Sequence, residues 1–290
     1  MNDRIPIVLK ADGDCAYAEA LAAHLKTTLL HTTPDAPVWL SMDAAGLSLT
    51  DGDQAMRGDF TKLQKRLQYH NLTHELLVKA TKVKGREKLR VIDATAGMGE
   101  DSLLLAAAGC EVTLYEQDPV IAALLQDTMR RALEETALHE IVMRMQLVEG
   151  DSIDHLRRLG EAATGSDAPE DDAGHACSTL AASAATGNDA AAATNGADTA
   201  LKRPDVIYLD PMFPERQKSG LVKKKFQLIH YLEAPAENEE ALMQAAIDAR
   251  PFKIVVKRPA KGPYLAGLKP SYSLDGKAIR YDCYVFPENA

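Results

Sequence analysis

Hydrophobic positions recur along this chain with two periods. Short β-rich runs, LRVIDAT (89–95), CEVTLYE (110–116), MQLVEGD (145–151), DVIYLDP (205–211) and FKIVVKRP (252–259), each end in polar residues. Between them, apolar residues fall at helical spacing over about Asp101–Ala108, Val120–Leu138 and Glu237–Ala249. Such strand-helix alternation predicts a parallel sheet with right-handed crossovers. SYSLDGKAIRYDCYVF (271–286) reads instead as two antiparallel strands around Asp275-Gly276, a favoured hairpin dipeptide.

The first part of the chain has shorter units. IPIVL (5–9) is a strand, Ala16–Lys26 has helical spacing, and TLLHT, PVWLS and GLSLT are β-rich pieces divided by Pro34, Pro37 and the 43–46 turn. Residues 1–58 are thus expected to form a small α+β domain that supports or positions a substrate. Asp59–Lys84 reads as a helical connector within 59–86, two helices meeting near Asn71, with Asn71 or Thr73 capping the second. Its Lys62, Lys65, Arg66, Lys79, Lys82 and Lys84 suit a phosphate backbone. His70 and His74 stand four apart, but without an H-E-x-x-H pattern or a third ligand no metal is expected. The main domain takes 87–290. Its stretch 160–200, rich in Ala, Gly, Ser, Thr and Asp, lacks the apolar surface to offset ordering entropy and is expected to be a disordered insertion.

Composition narrows the classes. A chain of 290 residues, 46% hydrophobic and 26% charged, is large enough for one main core and a small companion. No run is long enough to span a bilayer, and Lys10, Asp12 and Asp14 follow IPIVL too closely for a secretory signal, so a cytoplasmic location without membrane contact is expected. Cys15, Cys110, Cys177 and Cys283 show no C-x-x-C spacing, which suggests reduced thiols rather than zinc or disulfides. The net charge of −9 argues against a surface that grips nucleic acid throughout. Two local stretches run the other way and are expected to grip phosphates: Arg216–Lys225 has five basic residues and no acid, and Arg250–Arg280 has eight against Asp275 alone.

The chemistry gathers at the ends of the strands. In Asp93-Ala-Thr-Ala-Gly97-Met-Gly99, glycines permit a tight turn and close ligand approach ahead of a helix N-terminus. Glu116, 17 residues after Gly99, ends the next strand, where a carboxylate takes ribose hydroxyls. A dinucleotide fold shares these features, but the third glycine of G-x-G-x-x-G is Ser102 here, and Asp93 would repel a pyrophosphate. Asp93 suits a cationic ligand instead: the ammonium and sulfonium of S-adenosyl-L-methionine. Asp151-Ser152 closes the third strand, as an adenine acceptor, a helix cap or both. Asp210-Pro-Met-Phe213-Pro214 delivers a carboxylate and an aromatic from an apolar strand. Asp210 would hold the N–H of an exocyclic amine, aided by a backbone carbonyl near Pro211, while Phe213 stacks the base. No cysteine lies in 205–225, as cytosine C5 methylation would require.

DATAGMGED, LYEQDP and YLDPMFPERQKSGLVKK resemble the ribosomal RNA small subunit methyltransferase J family over roughly two-thirds of the chain. The resemblance implies an α/β, Rossmann-like class I methyltransferase fold with a mostly parallel sheet and a C-terminal antiparallel hairpin. It further implies S-adenosyl-L-methionine as cofactor and the N2 amine of one guanine in small-subunit (16S) rRNA, free or in the 30S subunit, as acceptor. By motif it places cofactor contacts on Glu100, Asp101, Glu116, Gln117, Asp151, Ser152 and Asp210. The chain departs from the general class I pattern in carrying Thr95 where a first glycine is usual. An N-methyltransferase acting on a protein amide or another nucleic acid, and a non-catalytic RNA-binding assembly protein, remain the alternatives.

Overall fold

The computed structural model describes residues 5–164, 203–211, 228 and 238–287. The first unit is a five-stranded sheet in the order β2-β1-β3-β4-β5, from β1 (Ile7–Leu9), β2 (Leu29–Leu30), β3 (Trp39–Asp43), β4 (Gly46–Thr50) and β5 (Ala55–Met56). Helix α1 (Cys15–His24) packs on β1, its N-cap Asp14 accepting from the Tyr17 amide. The strand β5 escaped the apolar pattern because it is only two residues long.

The connector differs from the expected pair of helices. It is a 3-10 turn (Phe60–Leu63) followed by three short helices: α2 (Gln64–Leu67), α3 (Tyr69–Leu72) and α4 (Leu76–Thr81). Neither Asn71 nor Thr73 caps α4, whose N-cap is Glu75. The Asn71 amide donates to the Lys65 carbonyl at 2.6 Å and so ties α2 to α3.

The large sheet has seven strands in the order β11-β12-β10-β9-β6-β7-β8. These are β6 (Arg90–Asp93), β7 (Glu111–Glu116), β8 (Met145–Glu149), β9 (Val206–Leu209), β10 (Lys253–Pro259), β11 (Tyr272–Asp275) and β12 (Ile279–Val285). The strands from β10 to β8 are parallel, while β12 runs antiparallel to both β10 and β11. This is the expected mostly parallel sheet with a terminal hairpin. Chain order reverses between β6 and β9, which opens a crevice at their carboxyl ends where α/β folds bind ligands. Val91, Val112, Leu114, Val206 and Val255 form one core under this sheet, and Ile92, Ile207, Leu209, Ile254 and Val256 form the other, as the alternation of a doubly covered sheet requires.

Several boundaries shift from the sequence reading. The single helix expected over Val120–Leu138 is α6 (Pro119–Leu133) and a separate α7 (His139–Val142), the break following Glu134. Helix α8 (Ser152–Thr164) runs past Gly160, where the insertion was expected to begin, and 165–202 lie outside the described residues. Helix α9 spans Glu239–Asp248, beginning two residues later than expected. The hairpin tip is Lys277-Ala278, because the Gly276 amide donates to Ile279 O at 2.8 Å and closes the turn two residues beyond Asp275-Gly276. No helix among the described residues is long and apolar enough to cross a membrane.

The two sheets meet at α6. Asp127 on α6 is wholly buried, accepting from the Leu47 amide of β4 at 2.9 Å and from Arg131 Nε at 2.8 Å and Arg130 Nη2 at 3.0 Å. Gly46 has φ +103, and a Cβ there would stand 2.6 Å from Asp127 Oδ2, so this close approach requires glycine.

Candidate active site

The carboxyl ends of β6 and β9 converge on a hydrogen-bonded cluster. Asp93 ends β6 but is only 1% exposed: its Oδ2 accepts from the Ser102 hydroxyl at 2.5 Å and its Oδ1 from the Thr95 amide at 3.1 Å. Burial raises its pKa to about 7, against the lowering pull of those two donors. Asp93 was expected to face a cationic ligand. It lies beneath the turn instead and braces it, and Ser102 stands where a dinucleotide fold has glycine because its hydroxyl completes that brace.

The two glycines divide their work. Gly97 has φ +51 with open space where a Cβ would stand, and its amide donates to Glu116 Oε2 at 2.9 Å. Gly99, the N-cap of α5 (Glu100–Ala107), has φ +73, and a Cβ there would meet Leu125 Cδ1 at 2.6 Å. Gly97 thus faces open space, whereas Gly99 permits packing. Glu116 Oε1 accepts from the Asp118 amide at 2.9 Å, and burial raises its pKa even with these amide donors. Gln117 and Asp151 are exposed at the ends of the next two strands. Asp151 Oδ1 accepts from the Ile153 amide at 2.8 Å, the capping role, and Ser152 beside it is buried. The neighbouring His155 lies against Tyr115, with ring centroids 4.7 Å apart, and burial followed by Arg158 lowers its pKa to about 4.

The cluster around Asp210 is organised by a residue that the motifs did not single out. Lys257, on β10, donates to Asp101 Oδ2 at 2.7 Å and to Asp210 Oδ2 at 2.8 Å. The Tyr208 hydroxyl donates to the same Asp101 oxygen at 2.6 Å. Burial alone would lower the Lys257 pKa, but Asp210 and Asp101 together raise it, so the ammonium stays charged. Burial raises Asp210, and Lys257 pulls it part of the way back. The Asp210 amide donates to Thr95 Oγ1 at 2.7 Å. Thr95, in a usual glycine position, therefore fastens β9 to the first turn. The Asp210 side chain remains 36% exposed, so its carboxylate is open to a substrate.

Phe213, Pro214 and the basic run at 216–225 lie outside the described residues. The run at 250–280 was expected to grip phosphates, yet much of it is internal. Lys253 is buried and donates to Ala80 O, Lys82 O and the Tyr272 hydroxyl; Arg258 is buried and bonds Glu239; Arg280 bonds Asp282. Each buried charge needs such partners, and only Arg250, Lys261, Lys269 and Lys277 of that run are exposed. Among the described residues no three His, Cys, Asp or Glu side chains gather as a metal site.

A family model described as "Putative SAM-dependent methyltransferase" matches residues 23–165 and 181–286. A ribosomal RNA small subunit methyltransferase J from Thioalkalivibrio sulfidiphilus is 37% identical, the alignment covering 98% of this chain and 99% of that one. The chain belongs to the ribosomal RNA small subunit methyltransferase J family. A second member, from Pseudomonas fluorescens, is 35% identical over 97% of this chain and 94% of its own. In fold, this methyltransferase superposes on a SAM-dependent methyltransferase from Neisseria gonorrhoeae with TM-score 0.68 and 26% identity, covering 97% of this chain and 95% of that one.

The enzyme is S-adenosyl-L-methionine dependent, and the site fits that cofactor. Open space above Gly97, the amide-rich start of α5 and the Glu116 carboxylate at the tip of β7 form a cradle that a Cβ at position 97 would enter. The Lys257 bridge was missed because a lysine inside a strand of a generally basic stretch has no motif. Its one sequence signal is a charged residue interrupting the apolar run IVVKRP.

Proposed function

We propose that this enzyme transfers a methyl group to the exocyclic N2 amine of one guanine in small-subunit rRNA, in the cytoplasm, on free 16S rRNA or the 30S subunit. The observation that carries the reading is the Asp210 carboxylate, part exposed, with one oxygen held by Lys257 and the backbone pinned by Thr95. The family's activity supports the rRNA substrate, and the resemblance supports guanine. Residues 1–58 brace α6, 59–86 form the connector, and 87–290 carry the transfer site.

When bound, S-adenosyl-L-methionine supplies a methyl group on a sulfonium, which the amine takes by in-line displacement. Glu116, steadied by the Gly97 amide, would hold its ribose end, Gln117, Asp151 and Ser152 would border the adenine, and Glu100 and Asp101 flank the helix start. Gly99 and Asp93 hold the turn beneath. Lys257 fixes one Asp210 oxygen, leaving the other to accept the N–H of the amine and orient its lone pair. The same carboxylate is the nearest acceptor for the proton released on transfer. Phe213 provides the face against which the base stacks.

Asp210→Ala is the direct test of these roles. Methyl transfer should fall by at least about 100-fold, the scale of one positioned proton acceptor, while the Kd for S-adenosyl-L-methionine stays within about threefold, under 1 kcal/mol. Full turnover in that variant would remove Asp210 from the reaction.

A further inference from the structure

The connector concentrates positive charge in an acidic chain. Residues 59–84 contain six basic side chains, Lys62, Lys65, Arg66, Lys79, Lys82 and Lys84, and two acids, Asp59, which pairs with Lys62 at 3.1 Å, and Glu75, within a protein of net charge −9. All six are exposed, while Phe60, Leu63, Leu72, Leu77 and Ala80 turn inward to the core. In the same segment stands Tyr69, 83% exposed and the most exposed large hydrophobic side chain among the described residues. A ring left in water forgoes the stabilisation that burial gives an aromatic. Its setting is well defined, since Asn71 bonds the Lys65 carbonyl and the Thr73 hydroxyl donates to His70 O at 3.1 Å.

This face adjoins the reaction side. Helix α2 packs against α5, and the negative charges of Glu100 and Asp101 act on Arg66. Arg66 makes a two-pronged bond to Glu75, at 2.8 and 3.0 Å, and Glu75 in turn acts on Tyr281 together with Asp101, Lys257 and Asp210. The residues beside the ring in sequence, Gln68 and His70, are polar and exposed, so it is not the centre of an apolar patch of the kind that protein partners bury. An isolated exposed aromatic in a basic segment, with α3 tied to Lys65 through Asn71, matches single-stranded nucleic acid, whose bases stack while its phosphates meet lysines.

We propose that Tyr69 is a stacking platform for an unpaired base of the RNA substrate outside the catalytic pocket, with Lys65 contacting the adjoining phosphates. The proposal rests on the reading that the substrate is RNA, and adds a surface to it that no catalytic motif contains.

The test measures equilibrium binding to protein-free 16S rRNA and to small subunits, both from cells lacking this gene. Tyr69→Ala should weaken binding to both about 5- to 100-fold, the range for loss of one base stack, while Tyr69→Phe stays within about twofold. Lys65→Gln should reduce the slope of log affinity against log salt by about 0.7–0.9, one phosphate contact. Affinity for S-adenosyl-L-methionine, measured in the same preparations, should remain that of the parent and so report an intact fold. Unchanged RNA binding in Tyr69→Ala, or a Phe variant as weak as the Ala one, overturns the stacking role. A defect seen on subunits alone overturns the RNA occupant and assigns the face to a ribosomal protein. A parent enzyme that binds neither RNA overturns the substrate reading itself, an outcome distinct from a failure of Tyr69.

Discussion

Lys257 shares one ammonium between two carboxylates, and its removal should be visible as a change in pH dependence. Burial raises the Asp210 pKa and Lys257 opposes that rise. An Asp210 that must be ionised to hold the amine loses activity as pH falls through its pKa, so removing the opposing cation raises that pKa and moves the acid limb to higher pH. Lys257→Met should shift the acid limb of kcat upward by about one unit or more, on the scale of a neighbouring charge, and Lys257→Arg should restore most of it. A kcat profile with its limb unmoved in Lys257→Met would separate Lys257 from Asp210. At this scale the sequence was legible for position, since Gly97, Glu116 and Asp210 stand in the first turn and at the ends of β7 and β9, where the pattern puts them. It was misleading for Asp93, since residue type and strand position do not say whether a carboxylate faces the crevice or the packing beneath it. Arg258 and Arg280 show the same gap: a basic run looks alike whether its charges meet solvent or internal acids.

The first glycine turn is the element where geometry assigns different jobs to similar residues. A Cβ at Gly99 would collide with Leu125 while forcing a side chain into a left-handed backbone. Gly99→Ala should therefore destabilise the fold by about 2–4 kcal/mol, combining overpacking and backbone strain, readable as a lower urea midpoint. Gly97→Ala meets no neighbour and should cost only about 1 kcal/mol from its positive φ, yet weaken S-adenosyl-L-methionine binding at least tenfold by occupying the cradle. If Gly97→Ala lost stability and kept cofactor affinity, the assignment of the two positions would be reversed. The strand-turn-helix succession was readable because β6, α5 and β7 each follow a clear period. The connector was not, because its four short pieces are fixed by contacts with α5 and β12 rather than by propensity over any one helix-length window.

Across the whole molecule, the join between the two sheets depends on one buried carboxylate. Asp127→Ala would leave the Leu47 amide unpaired and free two arginines that remain partly exposed. A loss of about 2–3 kcal/mol is expected, below the full cost of breaking a wholly buried pair, with the larger effect on protease resistance of residues 1–58 than of the main sheet. Equal protection of both sheets in that variant would show that apolar packing of Leu47 and Leu124 holds the join unaided. The parallel sheet and its hairpin were legible from period alone, but the docking of the first sheet was not: Leu47 and Asp127 are 80 residues apart, and nothing local marks them as partners. The central claim is that this assembly methylates a guanine amine in small-subunit rRNA. Its most direct test is transfer of labelled methyl from S-adenosyl-L-methionine to small subunits and to protein-free 16S rRNA from cells lacking the gene, followed by digestion to nucleosides and mass spectrometry. The account predicts label in N2-methylguanosine. Label in any other nucleoside or in protein, or no label despite measured cofactor binding, would contradict it.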